Sequence, residues 1–214
     1  MEGKIPLRAM LKGKLLRIAE LQDRLMIEMS PRFDVVLHGG TAVWRVYGGR
    51  RVSLDIDLYC PDPGKIIRHF EASGEFPLAR STLTPSHVAC LSFEEGDTLA
   101  EVQLSPPFRH VEEADGEFTL VDGESIIVKT LSPENLLSEK IRAFKGRGKA
   151  RDLYDIFFLL DKADTAKARR ELKSLMPLSP PKDYPGLGEL ILLGRVPEFG
   201  TVARKVKKHA KGEV

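Results

Sequence analysis

The chain reads Phe33-Asp34-Val35-Val36-Leu37-His38-Gly39-Gly40-Thr41 where an apolar run ends in two glycines and a threonine. This pattern is typical of a β-strand that leads through a tight turn into the start of a helix. Glycine lets the backbone approach a ligand closely, and free N–H groups at a helix N-terminus favour an anion such as a triphosphate. Gly39, Gly40 and Thr41 are therefore candidate phosphate-binding residues.

The stretch that follows, Ser53-Leu54-Asp55-Ile56-Asp57-Leu58, contains two carboxylates two residues apart. Because side chains alternate between the faces of a strand, Asp55 and Asp57 are expected on one side of it. Two such carboxylates repel each other unless a cation neutralises them, and Mg2+ accepts oxygen ligands from both protein and nucleotide. The residues alone leave an alternative open, which is a glycine turn followed by an edge strand with a solvated acidic face.

A third acid, Glu101, lies in the otherwise apolar run from Thr98 to Leu104. This run and residues 88–93 flank Glu94-Glu95-Gly96-Asp97, a pattern that predicts a β-hairpin. An acid inside such a strand needs a partner, and the metal ion of Asp55 and Asp57 would be one. The alternative is an exposed glutamate on an edge strand.

The spacing of these motifs resembles a known superfamily. Gly40-Thr41, thirteen intervening residues and then Asp55-Ile56-Asp57 resemble the opening motif of the polymerase-beta-like nucleotidyltransferases. The string from His38 to Leu58, which includes Tyr47-Gly48-Gly49-Arg50 and Ser53, is most similar to the AbiEii/AbiGii toxin family of that superfamily. The resemblance implies that the Gly-Thr pair holds the triphosphate and that Asp55 and Asp57 bind metal. It also implies a third carboxylate on a later strand, as Glu101 is.

Two further residues of this stretch are candidate nucleotide contacts, Arg50 and Ser53. Arg50 and its neighbour Arg51 precede the carboxylate strand, and the sequence leaves open whether they contact phosphate or are simply solvated.

A second block of charged residues also resembles the toxin family. It consists of Lys140, Ala143 and Arg147, followed by Arg151, Asp152 and Asp155. On a continuous helix Lys140 and Arg147 share a face, so Lys140 could reach the phosphates. Arg151 and Asp155 are four residues apart, so they either contact the substrate or form an ion pair with each other. The charged residues of this block are all candidate nucleotide-binding residues, and Lys140 is in addition a candidate catalytic residue.

Length and composition indicate one generous domain, or a core with a helical appendage. The chain has 214 residues, of which 42% are hydrophobic and 30% charged, with a net charge of +2. No apolar run approaches the ~20 residues of a membrane span, so the protein is expected to be cytoplasmic with no membrane partner. Cys60 and Cys90 form no CxxC motif, which removes the case for zinc.

The remaining segments predict further elements. Apolar residues at spacings of three and four predict an amphipathic helix over residues 5–29. Residues 105–125, rich in Pro, Gly, Asp and Glu, predict a loop. The basic end, with Lys205, Lys207, Lys208 and Lys211, could bind RNA through its phosphates, but such an end is more often a frayed, solvated tail.

The predicted fold is α/β, a minimal nucleotidyltransferase fold with a small mixed sheet followed by a C-terminal helical lobe. The expected boundary divides residues 1–131, the nucleotidyltransferase core with its N-terminal helix, from residues 132–214, the helical lobe with its basic tail.

The expected reaction moves a nucleoside monophosphate from a nucleoside triphosphate to a hydroxyl acceptor, with Mg2+ or Mn2+. The resemblance further implies a toxin that acts on RNA, such as tRNA, and a separately encoded antitoxin. Two alternatives remain. One is a non-catalytic module that binds nucleotide, RNA or a protein partner, and the other is a nucleotidyltransferase that modifies small molecules or proteins.

Overall fold

A computed structural model of the chain describes residues 6–107 and 112–213. The α-helices are α1 (Leu7–Met10), α2 (Gly13–Met29), α3 (Gly39–Thr41), α4 (Pro63–Ser73), α5 (Pro133–Arg147), α6 (Ala150–Leu159), α7 (Thr165–Lys173) and α8 (Phe199–Lys211). A π-helix, Ala42–Val46, continues α3, and a 3-10 helix spans Tyr184–Leu190. The strands are β1 (Val36–His38), β2 (Asp55–Tyr59), β3 (Leu78–Leu83), β4 (Ala89–Glu95), β5 (Thr98–Ser105), β6 (Glu113–Thr119) and β7 (Ser125–Leu131).

The strands of the described residues form one mixed sheet of seven, in the order β3-β4-β5-β2-β1-β7-β6. β1 pairs in parallel with β7 and β2 pairs in parallel with β5, while the other neighbours are antiparallel. The predicted mixed sheet and the hairpin of β4 and β5 are therefore confirmed. The carboxylate strand β2 lies inside the sheet between β5 and β1, so the interpretation of Asp55 and Asp57 as part of an edge strand is wrong.

Two predictions of local structure hold only in part. The helix expected over residues 5–29 is confirmed over Gly13–Met29, but it is broken before that point, because Leu11 and Lys12 are extended and Gly13 has a φ of +57°. The loop expected over residues 105–125 contains β6, although residues 108–111 lie outside the described part of the chain. Acidic residues and glycine are poor strand formers, but β6 pairs with β7 along its whole length as an edge strand, where charged side chains suit the exposed face.

The helices after β7 pack on the same hydrophobic core as the sheet. Ser132 caps α5, with its Oγ accepting the backbone N–H of Asn135, and Pro133 is the first helical residue, as predicted. One cluster of buried residues extends from α2 through the sheet to α8. The expected boundary near residue 131 stays a prediction. No helix of the described residues has the length and apolarity that crossing a membrane requires.

The basic end is an ordered helix and not the frayed tail that its composition favoured. Val202 and Val206 of α8 are buried in the core, and Lys205 donates to the carbonyl oxygen of Phe157 at 2.9 Å. The regular spacing of these apolar residues is the sequence signal for this helix.

A buried ion pair between Arg45 and Asp23 joins α2 to the π-helix and to the chain after β6. Arg45 Nε donates to the carbonyl oxygen of Thr119 at 2.7 Å, and Asp23 accepts the backbone N–H of Val121 at 2.7 Å. Burial raises the pKa of Asp23, while the charge of Arg45 opposes that shift. Each partner therefore depends on the other for the compensation of its charge.

We expect Asp23→Ala to lower the free energy of unfolding by about 3–5 kcal/mol, because it leaves the Arg45 cation buried without a counter-charge. Urea denaturation measures the change. The control is Glu20→Ala, which breaks the exposed Arg8–Glu20 pair of the same helix and should cost less than about 1 kcal/mol. Equal losses for the two variants would show that the buried pair has no special role.

Candidate active site

The two aspartates of β2 project from one face of the sheet. Asp55, Asp57 and Tyr59 are partly exposed, whereas Ile56 and Leu58 alternate with them and are fully buried. Alternation along the strand thus places both carboxylates together, with Tyr59 as the third member of the row. Tyr59 was not among the predicted site residues, although its spacing from Asp57 carries the same signal.

Glu101 lies beside Asp55 on the neighbouring strand. The two residues are register partners in the parallel pair of β2 and β5, so their side chains emerge on the same face. Glu101 is exposed, but β5 lies between β4 and β2, so the edge-strand interpretation is wrong. Within residues 6–107 and 112–213, no three His, Cys, Asp or Glu side chains are close enough to form a complete metal site. The metal-binding role of these carboxylates stays a prediction.

The glycine turn passes directly over the Asp57 carboxylate. Gly39 has a φ of +71°, and a Cβ on it would overlap the Asp57 side chain. A Cβ on Gly40 would come within 2.6 Å of both Arg51 Nη2 and Ser53 Oγ. Glycine is therefore required at Gly39 by both backbone conformation and space, and at Gly40 by space.

The hydroxyl of Thr41 already forms a hydrogen bond within the protein. It donates to the carbonyl oxygen of Asp55 at 2.5 Å, and the residue is fully buried. This bond ties the start of the helix to the start of β2. A phosphate at this turn would therefore meet backbone N–H groups and not the Thr41 hydroxyl.

Two further groups at this turn, His38 and Glu139, were missed by sequence reasoning. His38 Nδ1 lies 3.0 Å from Glu139 Oε2, and the His38 ring stacks on Tyr59 with 3.9 Å between centroids. Burial and Glu139 raise the pKa of Tyr59 to about 12. Burial alone would raise the pKa of Glu139, but His38, Lys140 and the backbone N–H of Gly39 hold it below its usual value. Glu139 therefore anchors α5 to the glycine turn.

The charge of Asp57 is influenced by burial and by several neighbouring charges. Burial raises its pKa, and Glu139 and Asp55 add to that shift, whereas His38 and Lys140 oppose it. A bound cation would favour the charged form further.

Lys140 and Arg51 share one buried carboxylate, that of Asp155. Lys140 Nζ lies 3.1 Å from Asp155 Oδ2, and Arg51 makes two bonds to the same carboxylate, from Nε at 2.9 Å and from Nη2 at 2.7 Å. Burial alone would raise the pKa of Asp155, but the two cations hold it below its usual value. The predicted pairing of Asp155 with Arg151 is wrong, because Asp155 pairs with Arg51 and Lys140. Arg51 is buried and holds Asp155, so it is not simply solvated.

A second pair continues this network at the start of α6. Arg147 makes two bonds of 2.7 Å to Asp152, which is fully buried, while Arg147 itself stays partly exposed. Arg151 precedes Asp152 and is also partly exposed. Of the predicted nucleotide-binding residues in this block, Arg147 and Arg151 are thus the ones that solvent reaches.

Arg50 lies apart from this network. It is exposed and lines a cavity of about 880 Å3 whose other walls include Trp44, Tyr154, Phe157 and Phe158. Ser53 is buried against Gly40, below the glycine turn. Nucleotide binding by Arg50 and Ser53 stays a prediction, and the surroundings of Ser53 indicate a packing contribution.

Comparison with known proteins agrees with this geometry. Residues 28–177 match the family model described as "Nucleotidyl transferase AbiEii toxin, Type IV TA system". The fold is similar to that of JHP933 from Helicobacter pylori, with 19% identity, a TM-score of 0.64 and coverage of 94% of this chain and 92% of that one. It is also similar to MenT4, a nucleotidyltransferase toxin from Mycobacterium tuberculosis, with 17% identity, a TM-score of 0.61 and coverage of 95% and 81%. A search of curated proteins finds no match.

The family match covers most of the chain and includes both predicted motif blocks, and the two solved structures confirm the predicted α/β nucleotidyltransferase fold. The chain therefore belongs to the AbiEii family of nucleotidyltransferase toxins of toxin–antitoxin systems.

Proposed function

We propose that this nucleotidyltransferase moves a nucleoside monophosphate from a nucleoside triphosphate to a hydroxyl group of RNA, such as tRNA, and releases pyrophosphate. The observation that carries the proposal is the row of Asp55, Asp57 and Glu101 on one face of the sheet, directly beside the glycine turn. A carboxylate row next to the N-terminus of a helix suits a substrate that is both phosphorylated and metal-bound.

The donor set fits Mg2+ or Mn2+, because all three side chains offer carboxylate oxygens. Asp55 and Asp57 would hold the ion, and Glu101 would complete the acceptor side. When bound, the ion would lower the pKa of the acceptor hydroxyl and neutralise charge on the phosphates. Since the described side chains do not form a complete site by themselves, phosphate oxygens and water would supply the remaining ligands.

The triphosphate would bind between the glycine turn and the start of the helical segment. Backbone N–H groups of Gly40 and Thr41 would contact its oxygens, whereas Gly39, whose N–H donates to Glu139, would contribute by letting the backbone approach the phosphate closely. Lys140 has three N–H donors, and one is directed at Asp155, which leaves donors for the leaving pyrophosphate. Arg147, partly exposed while bound to Asp152, would add positive charge at the same end.

The proposed setting is the cytoplasm, with a separately encoded antitoxin as partner. The family description, which assigns these proteins to type IV toxin–antitoxin systems, supports the antitoxin.

We expect wild-type protein to transfer label from one of the four α-labelled nucleoside triphosphates to total cellular RNA in the presence of Mg2+ or Mn2+. Asp57→Asn should abolish transfer, since it removes the charge that the metal needs, and chelation of the metal should do the same. Gel electrophoresis of labelled RNA and protein measures the result. Asp115→Asn, on the exposed face of the distant edge strand β6, is the matched control and should keep full activity.

Three outcomes would contradict this proposal. Full transfer by Asp57→Asn would refute the assigned carboxylate. Label on protein alone would refute the RNA acceptor. If no nucleotide labels RNA or protein and none binds with metal, the chain is a binding module and not an enzyme.

We expect Lys140→Met to lower kcat/KM for the nucleoside triphosphate by about 100-fold, the loss typical of removing one preorganised electrostatic group. Asp155 keeps Arg51 as its counter-charge in this variant, so the fold should survive. Lys145→Met is the matched control on the same helix, because Lys145 is exposed and its Nζ donates to Ser174 Oγ at 3.2 Å, away from the carboxylates. Steady-state kinetics measure kcat/KM for both variants. Equal losses in the two variants would refute a specific role for Lys140.

A further inference from the structure

The last two α-helices carry a set of exposed cations, here named the basic surface. Its members are Lys167, Arg169, Arg170 and Lys173 of α7, and Arg204, Lys207, Lys208 and Lys211 of α8. Over the described chain, Lys211 is the member that has an ion-pair partner, Glu213. The other seven are exposed and form no ion pair within the described residues, although the charge of Lys167 contributes to lowering the pKa of Glu134.

The charge of this part of the chain differs in sign from that of the rest. Residues 165–214 contain 11 basic and 5 acidic side chains, a net charge of +6, whereas the whole chain has +2. Residues 1–164 are thus net −4 by difference. Such an asymmetry indicates a polyanionic partner for residues 165–214. The small net charge of the whole chain conceals this asymmetry.

The cations of α8 lie on one face of the helix, and the opposite face is buried against the rest of the protein. Val202, Val206 and Ala210 are buried in the core. The four cations recur at intervals of three and four residues, so they line the opposite face over about 10 Å of helix. Because the apolar face is covered, α8 cannot insert that face into a membrane as an amphipathic helix would.

Contacts between α7 and α8 hold the two sets of cations together. Thr165 Oγ1 lies 3.2 Å from His209 Nδ1, which joins the start of α7 to the end of α8. The Arg169 guanidinium packs against Gly212, the residue that caps α8, where a helix C-terminus favours positive charge. The basic surface is thus rigid, so binding to it loses little conformational entropy of the backbone.

The basic surface is also coupled to the helix that carries Asp155. Lys205 of α8 pairs with Asp161 at 2.5 Å and donates to the carbonyl oxygen of Phe157, two residues beyond Asp155. At 1.5 Å per residue, Phe157 lies about 3 Å along α6 from Asp155, and Asp161 follows the end of that helix. A polymer that extends over α8 could therefore continue to the catalytic face.

We propose that the basic surface binds the sugar–phosphate backbone of a structured RNA, the acceptor whose reacting hydroxyl enters the carboxylate site. This inference depends on the proposed function for the identity of the acceptor. An acidic protein fits less well, since protein interfaces need apolar or aromatic anchors, and none of the exposed large hydrophobic residues of the described chain lies on α7 or α8.

The test measures binding, and not transfer, so that it does not depend on catalysis. Fluorescence anisotropy would follow a labelled RNA hairpin with a single-stranded 3′ end as it binds Asp57→Asn protein at several salt concentrations. In the same background, one variant replaces Lys207, Lys208 and Lys211 by alanine. The control replaces Lys12, Lys14 and Lys65, which removes three exposed lysines from elsewhere.

We expect the α8 triple variant to bind RNA at least about 10-fold more weakly, and the slope of log K against log salt to shrink by up to roughly 0.9 for each lost phosphate contact. The control should change neither quantity. Thermal melts should show that both variants stay folded, because the replaced side chains are exposed.

Equal effects of the two triple variants would overturn the proposal, as would an unchanged salt slope in the α8 variant. Equal binding of a DNA hairpin with the same sequence would overturn the assignment to RNA. Binding of polyglutamate without binding of RNA would overturn it in favour of an acidic protein. Because transfer is measured separately, an inactive enzyme that binds RNA through α8 would refute the proposed function alone.

Discussion

The arrangement of the catalytic cleft depends on one buried carboxylate, that of Asp155. It is bonded to Arg51, which precedes β2, and to Lys140 in the middle of α5, so it joins the sheet to the helices that follow it. A carboxylate so deeply buried is tolerated only because two cations and several hydrogen bonds replace its hydration. The same network presses Arg51 against Gly40, which fixes the glycine turn relative to α6. The contacts that compensate the buried charge of Asp155 thus also fix the position of the glycine turn.

A second constraint is the close packing of the turn on β2. Gly39 lies so near the Asp57 carboxylate that no side chain fits between them, and Thr41 bonds to the carbonyl oxygen of Asp55. These contacts set the distance between the helix N–H groups and the carboxylates. In the proposed function that distance matters chemically, since it would set how close phosphates bound at the turn lie to the carboxylates.

The sequence was sufficient to predict those elements that depend on interactions between residues close together in the chain. The alternation around Ile56, the hairpin at Gly96 and the start of α5 at Ser132 each depend on residues close in sequence, and each is confirmed. Contacts between segments that are distant in sequence could not be predicted from these local patterns. Arg51 is buried because Asp155, 104 residues away, compensates it, and His38 meets Glu139 across 101 residues. Strand β6 forms because β7 pairs with it, against the preferences of its own residues.

The chain also separates its charges in a way that suits a large, anionic substrate. Near the catalytic face, Asp155 and Asp152 neutralise Lys140, Arg51 and Arg147, so that these cations hold defined positions. On α7 and α8 the cations have few partners and point to solvent. Paired cations suit a site where geometry decides the rate, because their side chains are already ordered before the substrate arrives. Unpaired surface cations suit the attraction of a polymer, since they act over distances near the Debye length and tolerate variation in its sequence.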